Sequence, residues 1–484
     1  MSLNSRGLAS RSIGASFWVG ASTFSTRVVE FGSKALLARI LAPDHFGLVA
    51  MSGVAIAGLQ LIQGLGLGTA IVQRRDRVAE AASTAFWALP ILGCLLAAAG
   101  YLAAPLAALL LNEPRIVEIV RVLAYTMIPS SLTWVPAALL ARDLAFRKTF
   151  WSDILASLAF GAVSITLALR GFEAMSLAYG YLAYSTTRAA VLLVVTSFRP
   201  KLIFDTALFR ELFRYGRSAM SVSIVSNFLP SIEAGIVGRF LGSSLLGLYS
   251  LALQLVQLVG SQMTTLVLRV AFPAFAEIQH DDQRVRAAYE RVLHLVSLTV
   301  VPAALGAGIA APWLVPLLFG EGWEGAVPLV ALLSPVAISG ALRVVMRTLL
   351  MGIGKPQVAG RLAWFDSAFL IASIGIGVLT GSILVVAIAA SVASLLSLGV
   401  YVNALGKTMH WRPSVSIGPA LRPLLAATVM IVAEIPVFYL DLQLLPGALA
   451  SVGLGVVAYV AAAWMFDQHA VRDLVTKIYP QNTA

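Results

Sequence analysis

Long apolar runs, broken by short polar or basic clusters, are the dominant pattern along this chain. A helix rises about 1.5 Å per residue and a bilayer core is about 30 Å thick, so a run of roughly 20 apolar residues predicts one membrane-crossing helix. The runs predict spans at 12–41, 46–72, 83–111, 116–141, 150–169, 174–197, 217–241, 246–275, 287–319, 325–352, 358–380, 382–405, 421–441 and 447–466. The expected fold class is an all-α integral membrane protein of about fourteen transmembrane helices. With 59% hydrophobic residues, 12% charged residues and a mean hydropathy of +0.88, the chain carries more apolar surface than water would accept.

The net charge of +11 raises nucleic acid as a partner, and the placement of the charges removes it. Basic residues gather in alternate connectors: Arg74, Arg75 and Arg77; Arg142, Arg147 and Lys148; Arg199, Lys201, Arg210 and Arg214; Arg284, Arg286 and Arg291; Lys407, Arg412 and Arg422. The intervening connectors hold Arg115, Arg121 and Arg170, with Arg39 and Arg239 close to the same side. Such a bias orients a membrane protein with its basic loops inside, which puts both termini in the cytoplasm and assigns the charge to topology and anionic lipid. Cys94, the single cysteine, lies within a predicted span and has no partner for a disulfide or a thiolate metal site. No cleavable signal peptide is apparent before the first span, which itself is expected to direct insertion.

The chain also repeats itself. KALLARILAPDHFGLVAM around the first hairpin is echoed by AGIVGRFLGSSLLGLYSL, with Arg39 and Gly47 recurring as Arg239 and Gly247. AAPLAALLLNE around Pro105 is echoed by AAPWLVPLLFGE around Pro312, and the triplet Trp151–Asp153 by Trp364–Asp366. The pattern predicts a six-helix lobe over 1–197, a basic amphipathic linker helix over 198–218 and a parallel-related six-helix lobe over 219–405. Two additional helices and a tail occupy 406–484. Parallel repeats of this kind enclose a central cavity.

The blocks ALLARILAPDHFGLVAM, GRFLGSSLLGLYSLALQL and RVAFPAFAEIQHDDQRVRAAYERVL resemble the polysaccharide transporters of the multidrug/oligosaccharidyl-lipid/polysaccharide exporter superfamily, with greatest likeness to Wzx-type flippases. The resemblance covers the first twelve spans. It implies a bacterial inner-membrane flippase that moves lipid-linked oligosaccharide for exopolysaccharide, capsule or O-antigen synthesis. The implied protein partners are a polysaccharide polymerase and a chain-length regulator. A multidrug or cation antiporter and a peptidoglycan-precursor flippase share that architecture and stand as alternatives.

A polyprenyl-pyrophosphate-linked sugar needs cations in a wet cavity, and the first span supplies them. Arg27, Glu30 and Lys34 fall on one helical face, where buried charge must meet protein or water. Arg27 is the leading candidate for a pyrophosphate contact, although Glu30 is also placed to neutralise its neighbours. Deep Arg188 and Arg343 are further candidates; Arg39 and Arg239, near helix ends, fit either substrate contact or interfacial anchoring. Gln60, Gln63, Gln254 and Gln257 offer amides to sugar hydroxyls or to neighbouring helices. Coupling to a proton or sodium gradient requires intramembrane carboxylates, and Glu30 and Glu233 are the best placed; Asp153 and Asp366 lie near cytoplasmic span ends, where helix N-terminal capping explains them at least as well as a relay. No cofactor is implied. GLGLG lies inside an apolar span, GIGKP lacks a P-loop's hydroxyl residue, and the histidines show no metal-binding spacing. The few-residue outer connectors leave a membrane polymerase no room for a catalytic domain.

Overall fold

The computed structural model describes residues 20, 22, 24–64, 71, 74, 76–211, 213–214, 224, 228–440 and 442–466. Among them the regular structure is helical: α1 (24–38), α2 (Pro43–Gly64), α3 (Val78–Leu111), α4 (Ile116–Ala124), α5 (Met127–Arg142), α6 (Phe146–Leu169), α7 (Glu173–Val195) and α8 (Leu229–Leu241). There follow α9 (Ser243–Glu277), α10 (Asp282–Phe319), α11 (Val327–Gly352), α12 (Pro356–Val378), α13 (Ile383–Met409), α14 (Pro413–Glu434) and α15 (Leu444–Phe466). Ten spans among the described residues are long and apolar enough to cross a membrane. The starts of the predicted first and seventh spans, the GLGLG stretch beyond Gly64, Asn227, and terminal Arg6, Arg11, Arg472 and Lys477 lie outside the described residues.

Helices α3 and α15 are sorted by side-chain size rather than polarity. On α3, Ala81, Ala85, Leu89, Gly93, Ala97, Gly100, Ala104 and Ala108 form a buried stripe, while Ile91, Leu95, Leu102, Leu106 and Leu109 face outward. On α15, Gly447, Ser451, Gly455, Tyr459 and Ala463 are buried, and Leu449, Val452, Val456 and Val460 are exposed. Lipid solvates large apolar side chains as well as a protein core does, so helix association selects small residues that permit close approach. At Gly180 a Cβ would lie 1.8 Å from the Ser164 Oγ, which fixes the tight α6–α7 contact.

The predicted span 116–141 is divided. Pro129 cannot accommodate the carbonyl four residues before it, that of Tyr125, and the chain breaks at Tyr125–Thr126 between α4 and α5. The linker also departs from the expected helix over 198–218: residues 196–205 are not helical, with a bend at Leu202, and helix begins only at 206. Pro200 disfavours helical geometry at Arg199, and Asp205 caps the new helix, accepting from the Ala207 and Leu208 amides at 2.9 and 3.1 Å.

Two compact units result, ending and beginning at Gly247 and Leu248. In the first, α6 packs on α7, α3 on α4 and α5, and α8 on α2 and α3. Leu37 and Leu41 join α1 to Phe160, Ala168 and Leu177 of α6 and α7. In the second, α11 packs on α10 and α13, α12 on α13, and α10 on both α14 and α15. Tyr289 donates to the Ser416 carbonyl at 2.6 Å and Tyr459 to that of Leu298 at 3.1 Å, tying the last two helices to α10.

Candidate functional site

Three helices of the first unit bring charged residues together. On α1 the i, i+3 spacing sets Arg27 against Glu30 at 3.4 Å, with the Arg27 side chain 53% exposed and Glu30 25%. On the adjoining pair α6–α7, Arg188 Nε meets Asp153 Oδ1 at 2.9 Å, and Ser22 donates to Asp153 Oδ2 at 3.4 Å. Tyr184, one turn before Arg188, lies within electrostatic reach of Arg188, Asp153, Glu30 and Arg27, so the two pairs share one neighbourhood. Lys34 is partly exposed a turn beyond Glu30 and has no ion-pair partner among the described residues. Two carboxylates thus meet three cations. The long contact and high exposure of Arg27 leave its guanidinium the readiest to turn toward an incoming anion, whereas Arg188 is already tied.

Asp153 and Asp366 are not helix caps. They lie about two to three turns inside α6 and α12, beyond the reach of the free amides at the helix starts, and each holds an arginine instead. In the second unit Arg343, 7% exposed, places Nε 3.2 Å from Asp366 Oδ2 without hydrogen-bond alignment. Its NH1 donates to the Ser394 carbonyl at 2.5 Å and to the Ser394 hydroxyl at 2.8 Å, and Ser397 donates to Asp366 Oδ1 at 2.7 Å. The repeat therefore preserves an aspartate and changes the element that supplies its cation: α7 in the first unit, α11 in the second. Removing one member of a buried pair strands the other, at a cost of about 3–5 kcal/mol. Asp366→Ala should lower thermal stability in detergent accordingly, and Arg343→Met with Asp366→Leu should recover most of the loss. Equal stability of the single and double variants would refute this structural role.

The other candidates are dispersed. Gln63 is buried and bridges helices, donating to the Met127 carbonyl at 2.5 Å and accepting from Ser130 at 3.0 Å. Gln60 and Gln257 are exposed, and Gln254 is partly buried. Arg239 donates to the Leu109 and Leu110 carbonyls at the end of α3, the helix terminus that favours a cation. Arg39 is exposed in the turn after α1, and Glu233 is partly buried in α8.

A second polar assembly escaped sequence reading. Arg115 grips Asp44 at 2.6 Å and Glu113 at 2.9 Å, and reaches the Ser243 hydroxyl at 3.2 Å. Ser243 and Ser244 both donate to Asp44. The paired hydrogen bonds from Arg115 hold the Glu113 carboxyl below its usual range. Here the repeat-related glycines interlock: a Cβ at Gly47 would sit 1.7 Å from the Ser243 carbonyl oxygen, and one at Gly247 1.9 Å from that of Pro43. The echo of Gly47 in Gly247 was the available signal. A further buried carboxyl, Glu434, accepts from Ser451 at 2.6 Å between α14 and α15.

The sequence profile of the polysaccharide biosynthesis protein family matches residues 36–328. The lipopolysaccharide biosynthesis protein WzxC of Escherichia coli (strain K12) is 27% identical over 374 residues, covering 76% of each chain. The succinoglycan biosynthesis transport protein ExoT of Rhizobium meliloti (strain 1021) is 28% identical over 371 residues, 76% of this chain and 74% of that one. Among solved structures, the lipid II flippase MurJ superposes with a TM-score of 0.72 at 14% identity, over 94% of this chain and 99% of its own. An inward-facing multidrug resistance MATE transporter gives 0.61 at 16% identity, over 79% and 95%. At these identities the structural likenesses establish the fold.

Proposed function

The chain belongs to the polysaccharide biosynthesis protein family, and we propose that it is a flippase for polyprenyl-pyrophosphate-linked oligosaccharide repeat units. It is a multi-pass membrane protein. The observation that carries the cargo assignment is the excess of cation over carboxylate where α1, α6 and α7 meet. A pyrophosphate bridge is a dianion, and a planar guanidinium pairs with it in bidentate fashion. Arg27 makes the first contact, Lys34 adds charge one to two turns along, and Glu30 holds Arg27 in its absence. Exposed Gln60 and Gln257 suit sugar hydroxyls. Net positive charge disfavours cationic drugs, so the antiporter reading is the weaker one.

Movement outward proceeds by alternating access coupled to a proton or sodium gradient, with Glu30 and Glu233 as the ion-responsive carboxylates. The joint of Gly47, Gly247, Asp44 and Arg115 lies at the outer end and opens for release. Basic Arg74, Arg142 and Arg210 connectors face the cytoplasm, as do both termini of this bacterial inner-membrane protein. Topology reporters fused after Ala484 and within 112–115 should report opposite compartments; a shared compartment would refute the arrangement. In cells lacking the chain, lipid-linked repeat units should accumulate in the cytoplasmic leaflet and surface polysaccharide should return on re-expression. Unchanged surface polysaccharide in the deletion strain would count against the cargo.

A further inference from the structure

The segment between α7 and the helix beginning at 206 is a fixed strap. Phe198 and Phe209 pack against the buried cluster of Ile71, Ala81, Ala82, Ala85, Leu89, Val135 and Ala138. Trp87 donates from its indole nitrogen to the Lys201 carbonyl at 2.9 Å, and the Lys201 and Asp205 amides donate to Ser83 and Thr84, both at 3.2 Å. Arg77 pairs with Asp205 at 3.0 Å and Arg74 with Glu211 at 3.1 Å. Residues so anchored on both sides are held in position, yet the strap leaves Leu202 88% exposed and Phe204, which rests one side of its ring on Phe209, 53% exposed, with exposed Ile203 between them.

Basic residues surround this apolar tip. Arg199, Lys201 and Arg210 are exposed and have no carboxylate partner among the described residues; Arg199 spends its guanidinium on the Thr196 and Phe198 carbonyls. Apolar side chains displayed rigidly beside cations that lack a carboxylate partner, next to the exposed Trp87 indole, match the boundary between headgroups and acyl chains. Water alone gives no reason to tether a leucine in the open. We propose that the 199–210 strap is an interfacial anchor that inserts Leu202, Ile203 and Phe204 into the cytoplasmic leaflet and binds anionic phospholipid headgroups through Arg199, Lys201 and Arg210. The charge complementarity selects anionic phospholipid as the occupant, since each such cation near a negative surface strengthens binding. The anchor fixes the inner ends of α3 and α5 at one depth in the bilayer. It stands apart from the cargo assignment.

The test uses the full-length protein with Cys94→Ala and Leu202→Cys, labelled with an environment-sensitive fluorophore in nanodiscs. Shallow spin-labelled lipid should quench the label strongly, aqueous iodide should quench it several-fold less than a label at Gln283→Cys, and phosphatidylglycerol should increase the lipid quenching relative to neutral lipid. Arg199→Gln, Lys201→Gln and Arg210→Gln together should erase the phosphatidylglycerol effect. Iodide quenching equal to that at position 283 would place Leu202 in water and overturn the anchor. Lipid quenching insensitive to phosphatidylglycerol would overturn the assignment to anionic headgroups.

Discussion

Replacing Arg27 with glutamate should abolish polysaccharide export while the protein accumulates in the membrane at parental abundance. The Arg27 side chain is more than half exposed and its contact with Glu30 is long, so folding draws little from it. Transport differs, because the substitution takes the α1–α6–α7 neighbourhood from one excess cation to one excess anion. Two unit charges about 4 Å apart interact by roughly 4 kcal/mol at an effective dielectric of 20, and the cargo presents two negative charges. A fall of at least about 100-fold is expected. Arg27→Lys keeps the charge and loses the bidentate fork, and should lower export by about 2- to 10-fold. Export at the parental rate by Arg27→Glu, normalised to membrane abundance, would move the search for the anion site to Arg188.

The interlocked glycines carry the second large effect. A methyl at Gly47 would lie 1.7 Å from the Ser243 carbonyl oxygen and at Gly247 1.9 Å from that of Pro43, and backbone atoms cannot rotate away as a side chain does. Gly47→Ala should therefore hold the joint open, separate Asp44 from Ser243, and reduce export by about 10-fold or more. Accessibility reads the same event. In a Cys94→Ala background, Ser243→Cys should be protected from a membrane-impermeant thiol reagent added outside, because Ser243 is buried. Adding Gly47→Ala should make it reactive. Continued protection together with parental export would show that the close approach plays no part in transport.

Much of the scaffold was legible because lipid imposes a length on every apolar run. The expected span 325–352 and the observed α11 (Val327–Gly352) differ by two residues at one end, and 150–169 and α6 (Phe146–Leu169) by four. Departures have local causes that were present as residues but not as periodicity: Pro129 divides the fourth span, and Pro200 with Asp205 delays the linker helix. Leu208 and Phe213 lie in the helix that begins at 206, yet apolar spacing says nothing about where a helix begins. The cation stripe of α1 was visible because its members are three and four residues apart. Arg188 and Asp153 are separated by 35 positions, and only the packing of α6 on α7 joins them. The Arg115 network was invisible for the same reason, since Asp44 and Ser243 come from the first turns of α2 and α9 and Glu113 from the connector between α3 and α4.

Purified protein in proteoliposomes with a fluorescent polyprenyl-pyrophosphate oligosaccharide tests the central claim most directly. Accessibility of the sugar to an impermeant lectin or glycosidase outside should change with time when an ion gradient is imposed, and Arg27→Glu should leave it static. A static sugar with the parental protein, alongside gradient-driven movement of a cationic dye, would contradict the flippase account.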